Sequence, residues 1–486
     1  MNRWKKSCCI LLSLVLCILS GCAQGDTSSK PQYRPRLIYN TIGSPDPDLS
    51  KVNEALNRLL EEKGANYSID YRKITWADYG SEITTLIGSG RFDIAFATGK
   101  DQGDYLGGAQ GGVWLSLDSY LQGSAAELYH AVNPLFWEGA RIGGHIYGVP
   151  TNKELSAPEW FIFAKDLVEK YNVDITQYQT LESLEPILRA VRDNEPHRIP
   201  FRLDSEARNF FALDGYEYVL GKDTPLMIRS LDESPEVVNI FETNEGQRVV
   251  RTLRRYYQAG YINEDAALRE TTDILGSNSL FCTMGSGGPY SDEVWSSHFG
   301  VPVVSNRVSD TVVTTDSARG GMMVVNSKTQ HPDECIAFLT LLNTDADVRN
   351  LLNYGIEGTH YELNGDRQVV TLSADYAGVQ YTQGNWFILN TIAGEPLDKW
   401  DIYRKFNDSC TRSVLLGFSP DLTPISAEYE AVSAICQQYL AGIMTGTVDP
   451  EVYLPIFNRQ LKAAGMDKMQ TILQQQVNGW LAQKNR

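Results

Sequence analysis

From residue 36 onward the apolar positions of the chain fall into alternating rhythms. Arg36 to Ile42 reads as a strand, and Ser44-Pro45-Asp46-Pro47-Asp48 breaks it. From Leu49 to Lys63, Val52, Leu56, Leu59 and Leu60 recur at helical spacing, with Gly64 as the stop. Tyr67 to Ile74 alternates as a second strand, Asp78 to Ile87 makes a second helix, and Phe92 to Ala97 is a buried third strand. Strands separated by helices pair in parallel, because each helix returns the chain to the same edge. The pattern predicts an α/β body with its loops at the strand C-termini, where open α/β sheets bind ligands.

Farther along, Arg141 to Tyr147 predicts a tight hairpin, since Gly143-Gly144 supplies the positive φ angles of a two-residue turn. Trp160 to Phe163 reads as a strand and Lys165 to Tyr171 as a helix start. Helices are predicted at about Leu181 to Asn194 and Glu245 to Ala259, with a meander or hairpin between them from Tyr216 to Phe241. Leu280 to Met284, Gly300 to Val304 and Gly320 to Asn326 are short strands, and Pro332 to Asn343 is a helix. The tail from Ile425 to Leu481 is mostly helical, broken at Gly446 to Pro450 and at Gly465.

The start of the chain follows a different logic. Arg3, Lys5 and Lys6 precede an uncharged apolar run from Ile10 to Leu19, too short for a comfortable membrane span, and small residues lead into Cys22. Leu19-Ser20-Gly21-Cys22 resembles the lipobox of bacterial lipoproteins, which implies a signal peptide over 1–21 and a diacylglycerol thioether on Cys22. Residues 22–35, small, polar and proline-ended, read as a flexible tether. The expectation is a body lipid-anchored on the extracytoplasmic face of the cell membrane.

Length and charge narrow the class. At 486 residues with 42% hydrophobic content, the chain exceeds one core and predicts two lobes. The formal charge of −17, nearer −20 once the three leader cations are removed, argues against nucleic acid and anionic lipid as partners. Cys282, Cys335, Cys410 and Cys436 are widely spaced, and buried free thiols are favoured over disulfides. No metal-ligand spacing occurs, and no cofactor motif is present. Nucleophile elbows, His-Glu-x-x-His and phosphate loops are likewise missing, so no catalytic residue is assigned. Facing carboxylates of a surface glycoside hydrolase or lyase remain a rival reading, since spatial separation decides that mechanism.

Aromatic residues, by contrast, cluster in unusual places. Trp76, Trp114, Trp160, Tyr290, Trp295, Tyr354, Trp386 and Trp400 fall in or beside loops rich in Gly, Asn and Asp. Flat rings offer a stacking surface to the apolar face of a pyranose, while Asp, Glu, Asn and Arg meet its hydroxyls.

Four stretches then carry a family resemblance: Phe92 to Phe96 with Trp114 to Asp118; Gly144-His145-Ile146-Tyr147-Gly148-Val149-Pro150; Asn353 to Tyr361; and Leu416 to Phe418 through Gly446 to Pro450 and Leu461 to Lys468. Together they resemble the family 1 extracellular solute-binding proteins, lipoprotein receptors of carbohydrate ABC importers, in the large branch of Gram-positive bacteria. The resemblance implies a two-lobe periplasmic-binding-protein-like α/β fold with a hinge, an interlobe cleft and extra C-terminal helices. Lobe one is expected at 36–150 plus 310–353, and lobe two at 151–309 plus 354–486. It also implies an oligosaccharide ligand, the permease subunits of an ABC importer as partners, a monomer and no enzyme activity. A receptor for a peptide or other non-sugar solute is a second rival on the same scaffold.

Position on that architecture nominates the binding residues. Thr98 and Asp104 follow the third strand; Glu154 and Trp160 flank the first crossover; Ser286 and Tyr290 occupy a Gly-rich turn. Tyr354 and Glu357 sit at a second crossover, where a purely structural hinge role is an equal alternative, and Asn385 and Trp386 follow Gly384. His360 is expected to be structural. Arg141 and Arg208 are the residues that an acidic sugar would use.

Overall fold

The computed structural model describes residues 34–100, 102–270 and 279–484. The expected signal peptide, Cys22 and nearly all of the tether lie outside the described residues. Residues 36–486 form one compact unit.

The first sheet has five strands in the order Ser68–Ile74, Arg36–Ile42, Ile94–Ala97, Met322–Val325, Gly148–Pro150. The first three run parallel, as the alternating pattern predicts, with Arg36 opposite Ser68 and Tyr39 opposite Ile94. Met322–Val325 is antiparallel to both neighbours, placing Met322 opposite Ala97 and Pro150. Ile42, Ile74, Ala97, Pro150 and Met322 therefore share one edge of this sheet. The helix Leu49–Glu62 buries Val52, Leu56 and Leu60, the residues whose spacing predicted it. The second crossover helix, Trp76–Ser89, starts two residues earlier than expected because Thr75 accepts from the Asp78 N–H as its N-cap.

The second sheet runs in the order Val303–Arg307, Glu159–Ala164, Leu280–Ser286, Ile199–Phe201. Glu159–Ala164 is antiparallel to both neighbours, with Ser286 opposite Glu159 and Arg307 opposite Trp160. Beside it lies a three-stranded antiparallel meander, Tyr216–Tyr218, Leu226–Arg229 and Val238–Asn239, one of the two forms anticipated for that stretch. The Arg141–Ile146 hairpin has its two-residue turn, with Gly143 and Gly144 at φ 58° and 88°. Leu181 to Asn194 divides into a 3-10 turn, Glu182–Leu184, and an α-helix, Glu185–Asn194, because Pro186 fits only a helix's first turn.

Separate cores lie against the two sheets. Leu37, Tyr39, Leu56, Ile69, Phe136, Phe338 and Leu352 belong to one. Phe161, Phe201, Phe241, Leu253 and the C-terminal helices Ser426–Met444, Pro450–Ala463 and Met466–Lys484 build the other. Leu415 and Phe418 pack in the second core, whereas Leu416 between them packs in the first. Cys282, Cys335 and Cys436 are buried free thiols, and Cys410 is free and half-buried. Among the described residues no helix is long and apolar enough to cross a membrane, and no cluster of His, Cys, Asp or Glu is set to hold a metal ion.

Candidate functional site

A cavity of about 210 Å³ lies where the second core meets the loop after Ile94–Ala97 and the turn before Met322–Val325. Gly99, Lys100, Asp316 and Arg319 line it from the first sheet's side, and Glu159, Arg208, Asn209 and Glu217 from the second's. A second cavity, about 390 Å³, shares Glu159, Arg208 and Asn209 with the first and continues past Arg202 and Met284. Lys100 spans the space, donating from Nζ to the Leu220 carbonyl at 2.9 Å.

Two buried carboxyls dominate the chemistry. Glu159 Oε1 accepts from Ser286 Oγ at 2.6 Å, and Asn209 Nδ2 donates to that serine oxygen at 3.1 Å. Glu217 accepts from Ser413 Oγ. In each glutamate the second oxygen is buried without a hydrogen-bond partner. Burial pushes Glu159 up to about 7, against the pull of the Ser286 hydroxyl. Burial also pushes Glu217 up to about 8, with the Asp316 charge adding and the Ser413 hydroxyl opposing. Arg208 donates from Nη1 to the Lys222 carbonyl at 3.3 Å, while its buried Nε has no partner. Arg319 is committed to the scaffold, donating to the Gly139 and Arg141 carbonyls, each at 2.8 Å. Orphaned buried polar atoms are costly, so atoms of this kind grouped in one cavity make it the candidate site for a polar ligand.

Of the nominated residues, the structure brings Ser286 to this cavity through Glu159. Thr98 shapes the loop before Lys100, its Oγ1 accepting from the Gln102 N–H at 2.9 Å. Glu154, Tyr290 and Trp386 meet elsewhere, in an aromatic face with Trp400 and Tyr403. Tyr290 stacks on Tyr403 at 6.5 Å, and Trp386 meets Trp400 and Tyr403 edge-on at 6.4 and 6.2 Å. Glu154 pairs with Lys153 at 2.8 Å and leaves its Oε2 buried and unpartnered. Gly288 packs beside this face, a Cβ there standing 3.4 Å from Glu154 and 3.6 Å from Tyr403. Trp160 donates from Nε1 to the Gly287 carbonyl at 2.8 Å and meets Trp295 edge-on.

The other nominees make structural contacts. Asp104, at φ 38°, caps the helix Tyr105–Gln110 by accepting from the Gly107 N–H at 2.9 Å. Asn385 is buried, bonded to Asn152 Nδ2 at 3.1 Å and donating to the Asn343 carbonyl at 3.1 Å. Tyr354 donates to the Asn390 carbonyl at 2.7 Å, and Glu357 is exposed. His360 is buried, Nδ1 accepting from the Ile356 N–H at 2.9 Å, as expected of a structural histidine. Sequence reading missed Glu159, Glu217, Asn209 and Lys100. One of 60 acids gives no local sign that it is buried. The one available hint was Tyr216-Glu217-Tyr218, an acid between aromatics in a strand.

Two sheets, each with its own core, enclosing a polar cavity to which both contribute, define a two-lobe solute-binding protein. The comparisons point to the same class. It is 27% identical, over all of both chains, to a Streptococcus pneumoniae carbohydrate ABC transporter substrate-binding protein. Its fold matches the crystal structure of NgtS, an N-glycan transport solute-binding protein of Streptococcus pneumoniae. The TM-score is 0.84 at 25% identity, covering 93% of this chain and 100% of that one. The complex of NgtS with Man5GlcNAc matches with a TM-score of 0.73 at 25% identity, over 93% and 99%. Residues 414–482 match the family described as "Domain of unknown function (DUF3502)". These relatives are named as binding proteins, not as enzymes.

Proposed function

We propose that the chain captures an oligosaccharide between its lobes and delivers it, chemically unaltered, to an ABC importer. The carrying observation is the pair of buried carboxyls, Glu159 and Glu217, each with an unpartnered oxygen in the shared cavity. Acids with pKa values of about 7 and about 8 are largely neutral at mildly acidic pH, so each both donates and accepts a hydrogen bond. That suits the hydroxyls of a neutral sugar. Asn209 and Arg208 complete the polar lining, and the half-buried Tyr290 and Trp386 offer rings for stacking.

The lobe built on the first sheet swings against the lobe built on the second, the 380–383 segment moving with the first through its bonds to Arg349, Tyr39 and Tyr71, and closure buries the ligand. The two TM-scores to NgtS, 0.84 and 0.73 for the same relative, support such a change of shape in this family. Diacylglycerol at Cys22 holds the protein as a monomer at the outer face of the membrane, where the 22–35 tether lets it reach permease subunits. Two acyl chains anchor far more firmly than one, at about 0.8 kcal/mol per buried CH₂.

The test is a thermal-shift and calorimetric screen of the mature protein against Man5GlcNAc, its fragments, maltose to maltohexaose, and a peptide panel. Ligand that binds only the folded state raises the melting temperature. Stabilisation by a glycan with no cleavage products supports the proposal; stabilisation by peptides alone refutes it.

A further inference from the structure

An exposed aromatic pair, Trp76 and Tyr381, lies apart from the cavity and the aromatic face described above. Trp76 opens its helix directly after strand Ser68–Ile74, on the sheet edge shared with Ala97 and Met322. Tyr381 sits in the turn Gln380–Thr382. Their ring centroids are 6.4 Å apart at 58°, and the residues remain 52% and 38% exposed. Large aromatics are usually well buried, so two rings held together in water at a ligand-facing edge point to a partner.

Two glycines show how near the pair stands to the cavity wall. A Cβ on Gly321, two residues from Arg319, would fall 2.7 Å from the Tyr381 carbonyl oxygen. A Cβ on Gly80, one turn beyond Trp76, would stand 3.4 Å from Gln102 Oε1, in the loop that supplies Gly99 and Lys100. The turn bearing Tyr381 is also fixed. The Gln380 carbonyl accepts from Arg349 Nη2 and from Trp386 Nε1, each at 2.9 Å, so little ordering cost attends binding there. The joined space of the two cavities, about 210 and 390 Å³, falls in the roughly 300–1,000 Å³ range typical of a drug-sized ligand, which a long glycan exceeds. Further rings of a glycan seated in it extend toward the rim.

We infer that Trp76 and Tyr381 form an outer sugar subsite on the rim of the cleft, stacking on a ring beyond the inner cavity. In that role they favour long glycans over short ones. The inference rests on the carbohydrate reading above.

Trp76→Ala, Tyr381→Ala and Trp76→Phe in the mature chain test it. Each is titrated by calorimetry with the longest glycan of that panel that the wild type binds, and with its shorter fragments. The alanine variants should bind the longest glycan about 10-fold more weakly, as when a hot-spot aromatic is truncated. They should bind the shortest fragment as the wild type does and keep its melting temperature, and Trp76→Phe should retain most of the affinity that Trp76→Ala loses. Wild-type affinity for the long glycan in both alanine variants overturns the inference, as does an equal loss for long and short. So does a wild type that gains no affinity from added sugars. A wild type that binds no glycan removes the carbohydrate reading itself, and the subsite with it.

Discussion

Replacing Glu217 by Gln separates charge from shape in the cavity. The amide keeps an oxygen to accept from Ser413 Oγ but is neutral at every pH. Burial raises the Glu217 pKa from 4.5 to about 8, so ionising it costs the folded chain about 5 kcal/mol more than the unfolded one, at 1.36 kcal/mol per pH unit. The sign follows from the raised pKa. The folded state holds its proton more tightly, so this contribution is fully present below pH 4.5, declines as pH rises, and is gone above about pH 8. Urea unfolding of ligand-free wild type and Glu217→Gln at pH 5, 6, 7, 8 and 9 reads the difference. The variant should gain on the wild type by roughly 1.4 kcal/mol per pH unit between pH 5 and 8, then level off. Differencing cancels the remaining acids. A stability difference independent of pH would refute the claim that burial holds this carboxyl protonated.

Ser286→Ala removes the donor to Glu159 and should push that pKa further above about 7 while weakening the best glycan several-fold, checked by titration at pH 6 and 8. Asp104→Ala should cost about 1 kcal/mol as a lost N-cap and leave glycan affinity unchanged, a result that equilibrium unfolding and calorimetry check together. Lys100→Ala deletes the bond to the Leu220 carbonyl across the cavity, and small-angle scattering should then report a larger ligand-free radius of gyration. Cys22→Ser should release the protein from the membrane fraction into the medium, read by immunoblot.

The alternating rhythm between Arg36 and Ala97 was enough to establish three parallel strands and their crossover helices, because hydrophobic periodicity is a local property and each element answers to its own neighbours. The same holds for the Gly143-Gly144 turn, whose positive φ angles only glycine adopts freely. The class of protein was legible as well, carried by motifs in order along the chain. Only the tertiary structure added Met322–Val325 as an antiparallel strand beside Ile94–Ala97, since pairing across more than two hundred residues leaves no trace in a short apolar run. It also decided which acids matter. Glu159 and Glu217 reach the cavity through the burial and the serine hydroxyls that the fold brings to them, whereas Asp104, equally plausible in sequence, is turned onto its own helix. Spacing along a chain fixes the period of a face; what that face meets depends on packing between segments distant in sequence.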